Sequence, residues 1–341
     1  MHSILKVKTG TDMEQKEIEQ ETVLDVKNLK TYFFTDDGVV KAVDDVSFSL
    51  RKGEVLGIVG ESGSGKSVTN ISIMSLVQSP PGKIMGGEVI FKGEDILKLD
   101  EKRLRQIRGA KISMIFQDPM TSLNPFLRIS TQMIETIRLH QKLDKKQARK
   151  KAIEMLTMAG IPAAAERIDS YPHQFSGGMC QRVMIAMGLS CNPEILIADE
   201  PTSALDVTIQ AQILDLIKDL TNKLGTAVIL ITHSLGVVAG MCDTIYVMYA
   251  GRVVERGRVE DIFENPKHPY TRGLIKSVPR IDQRNEDRLF SIPGQPPNVI
   301  DLPPCCPFFP RCAEATKRCK TSYPEETDFG GGHSAACWEV Q

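Results

Sequence analysis

The chain has 341 residues, enough for about two domains at roughly 100–200 residues each. Lys and Arg number 42 against 43 Asp and Glu, a balance that argues against a protein built chiefly to wrap nucleic acid, which carries a basic excess. Apolar residues at 41% and charged residues at 25% exclude disorder, and no apolar run reaches the ~18 residues that span a bilayer.

The N-terminus, MHSILKVKTGTDMEQKEIEQE, turns acidic too early for a secretory signal. The expectation is a cytosolic chain, any membrane-spanning helices being supplied by another subunit. From Val23 to Leu50, short apolar runs alternate with turn residues and predict a small antiparallel sheet. Glu54–Val59 reads as a buried strand, followed by a Gly-rich turn and a helix starting near Lys66. Strands are expected again at Glu88–Phe91 and Ile112–Phe116. Residues 126–165 carry helical spacing at Met133, Ile137, Ile153 and Leu156 and read as a helical insertion.

A strand returns at Glu194–Ala198. Asp206 is placed to cap a helix whose apolar face is Ile209, Ile213, Leu216, Leu220 and Leu224, ended by Gly225. Ala227–Thr232 is a further buried strand, and Thr244–Tyr249 with Arg252–Glu255 predicts a hairpin about Ala250-Gly251. Strands interleaved with helices around a phosphate turn define an α/β core. Beyond about residue 265 the periodicity stops. Pro recurs ten times between 266 and 310, and five of the eight cysteines fall in the last 37 residues. Such a tail has too few periodic residues for its own core and calls for a staple.

Gly60-Glu-Ser-Gly-Ser-Gly-Lys-Ser67 fits the G-x-x-x-x-G-K-[ST] phosphate loop between a strand and a helix. Its glycines (Gly60, Gly63, Gly65) permit a turn whose N–H groups face a polyphosphate, together with those of Ser62, Ser64 and Val68. The helix N-terminus adds positive potential. Lys66 reaches the β- and γ-phosphates, and Ser67 ligates Mg²⁺. Strand Glu194–Ala198 ends in two carboxylates, Asp199 for the Mg²⁺ shell and Glu200 to polarise the attacking water.

Phe175-Ser-Gly-Gly-Met-Cys-Gln181 resembles the signature of ATP-binding-cassette (ABC) proteins. Around it, in order, Gln117 resembles the family's Q-loop glutamine, Ser203–Asp206 its D-loop and His233 its switch histidine. Phe33, beside Tyr32, lies where the family stacks an aromatic on adenine. The resemblance covers about residues 22–270. It implies catalytic roles for Glu200, His233 and Gln117, with Gln117 also on the metal. It implies that two cassettes close head to tail on ATP, Ser176, Gly177 and Gly178 of one facing the phosphate loop of the other, with Asp206 nearby. Two residues depart from the pattern. Cys180 stands where Arg is common and would weaken contact with ATP in the partner's site. Ser234 stands where Asp is common and would affect local orientation.

Phe116–Pro125, Asn265–Leu274, Ile292-Pro-Gly-Gln-Pro-Pro297 and Cys306–Cys312 are similar to segments of the D-type ATPases of bacterial dipeptide/oligopeptide importers. That resemblance implies a phosphate-loop ATPase core with an antiparallel β subdomain, a helical subdomain at about 118–185 and a Pro/Cys-rich extension. The expected division is a polar segment at 1–21, the ATPase domain at 22–265 and the extension at 266–341. The implied partners are two transmembrane permeases, a second ABC ATPase subunit and, indirectly, an extracytoplasmic peptide-binding protein. The implied location is the cytoplasmic face of the cell membrane, as a peripheral protein, with no nucleic-acid partner.

Cys306, Cys312, Cys319 and Cys337 give C-x₅-C-x₆-C-x₁₇-C. Four thiolates suit Zn²⁺ or an iron–sulfur cluster, though the C-x₂₋₄-C spacing common at zinc is absent. The resemblance implies a [4Fe–4S] cluster; zinc, unligated thiols and an adventitious disulfide stay open. An importer of nickel or another small solute is the alternative function, followed by a non-transport ABC ATPase.

Overall fold

The structure is a computed structural model and describes residues 21–340 apart from 204, 279–289 and 301. The polar segment expected at the N-terminus lies, but for Glu21, outside the described residues. Two long strands, β1 (Thr22–Thr35) and β2 (Gly38–Arg51), open the fold, followed by β3 (Val55–Val59) and helix α1 (Lys66–Ile73). Then come β4 (Gly82–Phe91), β5 (Glu94–Asp95), α2 (Glu101–Ile107) and β6 (Ile112–Ile115). Five helices follow: α3 (Pro119–Ser122), α4 (Ile129–Gln141), α5 (Lys145–Met158), α6 (Ala164–Arg167) and α7 (Gly177–Leu189). The core resumes with β7 (Ile195–Asp199), α8 (Val207–Leu224), β8 (Ala227–Thr232) and α9 (Leu235–Met241). It closes with β9 (Thr244–Tyr249), β10 (Arg252–Arg258), α10 (Val259–Glu264) and α11 (Pro269–Lys276), and the tail adds β11 (Thr327–Asp328) and β12 (Ser334–Ala335).

The strands form two sheets. The first is antiparallel, in the order β2-β1-β4-β5. The second runs β11-β12-β10-β9-β3-β8-β7-β6, parallel from β9 to β6 and antiparallel at the tail edge. Its central strands β3, β7 and β8 are buried along their whole length, as continuous apolar runs covered on both faces must be. One face packs on α1 and the antiparallel sheet, through Leu56, Ile58, Ile197 and Ile229 among others. The other packs on the helical region, through Leu196, Ala198, Val228 and Leu230.

The expected helical insertion is present, and Met133, Ile137 and Leu156 are fully buried in its core. Asp206 caps α8, its carboxylate accepting from Ile209 N at 3.0 Å, and Gly225 ends it in the left-handed conformation. The buried stripe of α8 is centred on Ile213, Ile217 and Leu220. The spacing analysis chose Leu216 rather than Ile217, and Leu216 lies at the margin of the stripe. The hairpin turn is Ala250-Gly251, both with positive φ, as a two-residue turn between twisted strands requires. Strand β4 begins six residues before the expected Glu88 because its Gly-containing first half is held by pairing with β1, not by an apolar pattern of its own.

The tail builds its core jointly with the sheet edge. Phe308, Cys306 and Cys319 are buried with Tyr249, Val254, Ile262 and Tyr270. Strand β12 pairs with β10. Tyr249, Tyr270 and Phe308 form an aromatic triangle with ring centroids 4.6, 5.2 and 5.4 Å apart, in tilted and edge-on arrangements that favour such rings.

Candidate nucleotide site

The loop Gly60–Ser67 leaves the carboxyl end of β3 and enters α1, at the edge where open α/β sheets bind ligands. Gly60, Gly63 and Gly65 all have positive φ. At Gly65 the need for glycine is also steric: a Cβ there would lie 2.2 Å from the carbonyl oxygen of Ala42. The loop is therefore clamped from outside by β2 and by the β9–β10 turn. Gly251 N donates to Ser64 O at 3.0 Å, and Asp44 N donates to Gly251 O at 2.8 Å. Ser62, Gly63 and Ser67 stay exposed, while Ser64 and Lys66 are buried. Val68 packs its side chain on the apolar core, so it can offer a ligand only its backbone.

Lys66 Nζ folds back on its own loop, donating to Gly60 O at 2.8 Å and to Glu61 O at 2.9 Å. Burial lowers its pKa, opposed by the carboxylates of Glu200, Asp199 and Glu61. Ser67 Oγ donates to Asp199 Oδ1 at 3.1 Å, so two expected Mg²⁺ ligands meet although 132 residues separate them. Burial raises the pKa of Asp199; the Ser67 hydroxyl opposes this, Glu200 reinforces it and Lys66 opposes it. A carboxylate that burial disfavours in its charged form, facing a hydroxyl at a phosphate loop, fits a divalent cation, which would restore the ionised state.

Glu200 follows β7 with φ 45, a conformation that non-glycine residues seldom adopt. Its backbone N–H donates to Ile231 O at 2.9 Å, which locks the strand end to β8. Its carboxylate accepts from Gln117 Nε2 at 3.0 Å and lies 3.4 Å from His233 Nδ1. The three residues expected to be catalytic, contributed by three different strand ends, thus converge. Gln117 meets Glu200 through its amide nitrogen, so its carbonyl oxygen is the end a cation would use.

The remaining expected residues sit apart. Tyr32 donates its hydroxyl to Asp44 Oδ1 at 2.7 Å, and burial followed by that bond pushes its pKa up to about 12. Phe33 is half-buried beside Gly82. Ser176 caps α7, accepting from Met179 N at 3.3 Å, and Ser176 and Gly177 are exposed. The first residues of α7 are thus open to solvent. Asp206 spends one oxygen on its cap, and Ala204 of the D-loop lies outside the described residues.

Cys180 is fully buried in the helical core and its thiol donates to Pro172 O at 3.4 Å, so it packs within its own subdomain. Ser234 precedes α9 and makes no side-chain cap bond.

Sequence reasoning missed three positioning contacts. Gln181 Nε2, buried behind the signature, donates to Pro201 O at 2.6 Å. Gln210 Nε2 donates to Thr202 O and Leu205 O at 3.0 and 2.9 Å. Together they tie α7 and α8 to the loop after Glu200. The third is Arg311 of the tail, which grips Glu61. A polar residue inside the helix that follows the signature was the available signal for Gln181; Arg311 gave none.

The tail cysteines share one corner. Cys306, Cys319 and Cys337 are buried and Cys312 is half-buried. Burial pushes the Cys306 thiol up to about 12 and also raises Cys312 and Cys337, with the other cysteines adding to each shift. Metal ligation, which needs thiolates, would have to overcome these shifts. Among the described residues no group of three or more His, Cys, Asp or Glu side chains is drawn together closely enough to hold a metal ion. The geometry lends neither the iron–sulfur nor the zinc expectation support.

Fold, phosphate loop, paired carboxylates and outward-facing signature define an ABC-type ATPase, and comparison with known proteins places the chain within that class. Residues 43–203 match the family model described as ABC transporter. Residues 254–319 match the one described as Oligopeptide/dipeptide transporter, C-terminal region. The chain is 52% identical to the oligopeptide transport ATP-binding protein OppD of Haemophilus influenzae, covering 93% of this chain and 97% of that one. It is 53% identical to the dipeptide transport ATP-binding protein DppD of Bacillus subtilis, over 93% and 95%. A dimeric ATP-binding cassette solved in a post-hydrolysis state with ADP and phosphate superposes with TM-score 0.62 at 30% identity, covering 69% of this chain and 98% of that one. This chain belongs to the ABC transporter ATPase family, in the group that carries the oligopeptide/dipeptide transporter C-terminal region.

Proposed function

We propose that the chain is the ATP-hydrolysing subunit that powers import of di- or oligopeptides through an ABC transporter. The observation that carries this is identity near one half to relatives named for oligopeptide and dipeptide transport, across both the cassette and the tail. Among the described residues no helix is long and apolar enough to cross a membrane, so two permease subunits would supply the path. The chain would work beside them as a peripheral protein on the cytoplasmic face, at 22–265 as motor and at 266–341 as extension.

In this reading the N–H groups of Gly60–Val68 and Lys66 bind the phosphates, with Phe33 and Tyr32 at the adenine. Ser67, Asp199 and the Gln117 carbonyl would hold Mg²⁺, which when bound neutralises phosphate charge. Glu200, held by Gln117 and His233, orients and deprotonates the attacking water. Ser176, Gly177 and Gly178 of a second cassette, with Asp206 close by, complete the cage around the γ-phosphate. Assembled with its permeases and binding protein in vesicles, the chain is expected to hydrolyse ATP several-fold faster with saturating di- or oligopeptide. Stimulation by nickel salts and not by peptides would replace this substrate class with the alternative.

The finer part of the proposal is a [4Fe–4S] cluster on Cys306, Cys312, Cys319 and Cys337. What supports it is the four-cysteine set of the sequence, C-x₅-C-x₆-C-x₁₇-C; binding would have to draw the four together as thiolates. Oxygen-free purification is expected to yield iron and acid-labile sulfide in equal amounts, lost in Cys306→Ser. Stoichiometric zinc, or protein free of metal, overturns it.

A further inference from the structure

Glu61 is the second residue of the phosphate loop, and three of its groups are engaged. Its carbonyl accepts from Lys66. Its N–H donates to Tyr270 Oη at 2.8 Å. Its carboxylate takes a two-pronged contact from Arg311, Nη1 to Oε2 at 2.6 Å and Nη2 to Oε1 at 3.0 Å. Tyr270 and Arg311 both belong to the region after residue 265, so the tail holds Glu61 by side chain and backbone at once.

Arg311 is itself fixed. Its side chain is 5% exposed. Nε donates to Pro293 O at 2.9 Å, and Nη1 also reaches the Tyr249 hydroxyl at 3.3 Å. Pro296, Pro297 and Val299 line a small space against Glu61–Ser64, and Lys41 N donates to Val299 O at 3.4 Å. The segment around residues 292–299 thus runs between Arg311 and the outer face of the phosphate loop.

We propose that the C-terminal extension sets the nucleotide affinity of the phosphate loop, with Arg311 as the positioning residue acting through Glu61; the inference rests on the reading of Gly60–Ser67 as the ATP site. The physical reason is charge and orientation together. With Arg311 in place the carboxylate of Glu61 is neutralised and turned toward the tail. Without it, a half-buried carboxylate, its side chain 27% exposed, loses its partner and its negative charge acts on the phosphates bound by the same loop. The Glu61 carbonyl, one of the acceptors that Lys66 uses, would shift with it. Affinity suffers, while the Gln117–Glu200–His233 group, which Arg311 does not touch, is left as it is.

The test is a double-mutant cycle on the full chain, reading the Kd for Mg-ATP and kcat at saturating ATP. Arg311→Gln is expected to weaken ATP binding about 10-fold, within the range typical of coupled sites, with kcat changed less than about twofold. In the Glu61→Gln background the same Arg311→Gln change is expected to cost less than about twofold, because no orphaned carboxylate remains. Equal losses in both backgrounds, or wild-type affinity in Arg311→Gln, overturn the proposal. Linkage adds a readout on the unmutated chain that does not depend on any variant folding: whatever the tail does for ATP, ATP must do for the tail. Saturating Mg-ATP is expected to slow amide exchange in residues 290–300 and 305–312, and unchanged exchange there contradicts the coupling. If the unmutated chain binds no ATP, the reading of the site itself fails; if it binds ATP and the cycle shows no coupling, only this inference does.

Discussion

A Glu200→Gln chain is expected to bind Mg-ATP with near-normal affinity and to hydrolyse it at least about 100-fold more slowly, the usual contribution of a positioned general base. The substitution keeps the volume and planarity of the side chain. It also keeps a carbonyl oxygen to accept from Gln117 Nε2, now at 3.0 Å from the carboxylate. The strained backbone at φ 45 is unaffected, since it is set by the Glu200 N–H bond to Ile231 O at 2.9 Å and not by the side chain. What disappears is the carboxylate assigned to take the proton from water. Nucleotide affinity and single-turnover phosphate release, measured side by side, separate the two roles. Hydrolysis within a few-fold of the unmutated rate would move the general base elsewhere.

Gly65→Ala is expected to have the second large effect, on binding rather than chemistry. The new Cβ would sit 2.2 Å from Ala42 O and 3.3 Å from the Gly251 Cα. Both obstacles are backbone, so no rotamer change relieves them. The residue would also be held at φ 103, where an L side chain is strained by ~1–3 kcal/mol; overpacking adds a further ~1–3 kcal/mol. The relief available is to open the loop away from β2, which misaligns the N–H groups meant for phosphate. At about 1.4 kcal/mol per tenfold, ATP affinity should drop by ~10- to 100-fold or more. Gly63→Ala is the graded control. Nothing lies within 4 Å of its Cβ, so it should lose less. Titration of both variants with Mg-ATP checks the ranking, and equal losses would mean that the steric clamp on Gly65 is not what shapes the loop.

Much of the catalytic arrangement was legible in the sequence because it is local or ordered along the chain. The phosphate loop announces itself through glycines at fixed offsets, and Asp199-Glu200 through an apolar strand that ends in two carboxylates. The convergence of Gln117, Glu200 and His233 followed from each lying just after a buried strand of one parallel sheet, since parallel strands bring their carboxyl ends to the same edge. The burial of Cys180 was not legible: the sequence marks it as a departure from the signature pattern but does not show that its side chain packs into the helical core. Ile217 was displaced from the predicted stripe of α8 for a similar reason, as a single-residue rotation of the face is within the ambiguity of a helix rich in Ile and Leu.

The tail was the least legible part. Its hydrophobic partners, Tyr249, Val254 and Ile262, lie before residue 265, so no window of tail sequence contains the core it joins. The bond from Arg311 to Glu61 spans 250 residues and has no periodic signature. The thiols were legible as a set but not as a geometry: spacing in sequence could suggest ligands, and only coordinates could show that, among the described residues, no three are close enough together to hold an ion.

ATP is expected to be bound and spent between two cassettes, which are two copies of this chain when it is studied alone, Ser176 of one meeting the phosphate loop of the other. Light scattering on the full-length Glu200→Gln chain, with and without Mg-ATP, measures this directly. The expected result is a shift from the mass of one chain to that of two when ATP is added, reversed when Ser176 is replaced by Arg. A chain that binds ATP yet keeps its single-chain mass at every concentration would contradict a site completed by a second cassette of its own kind.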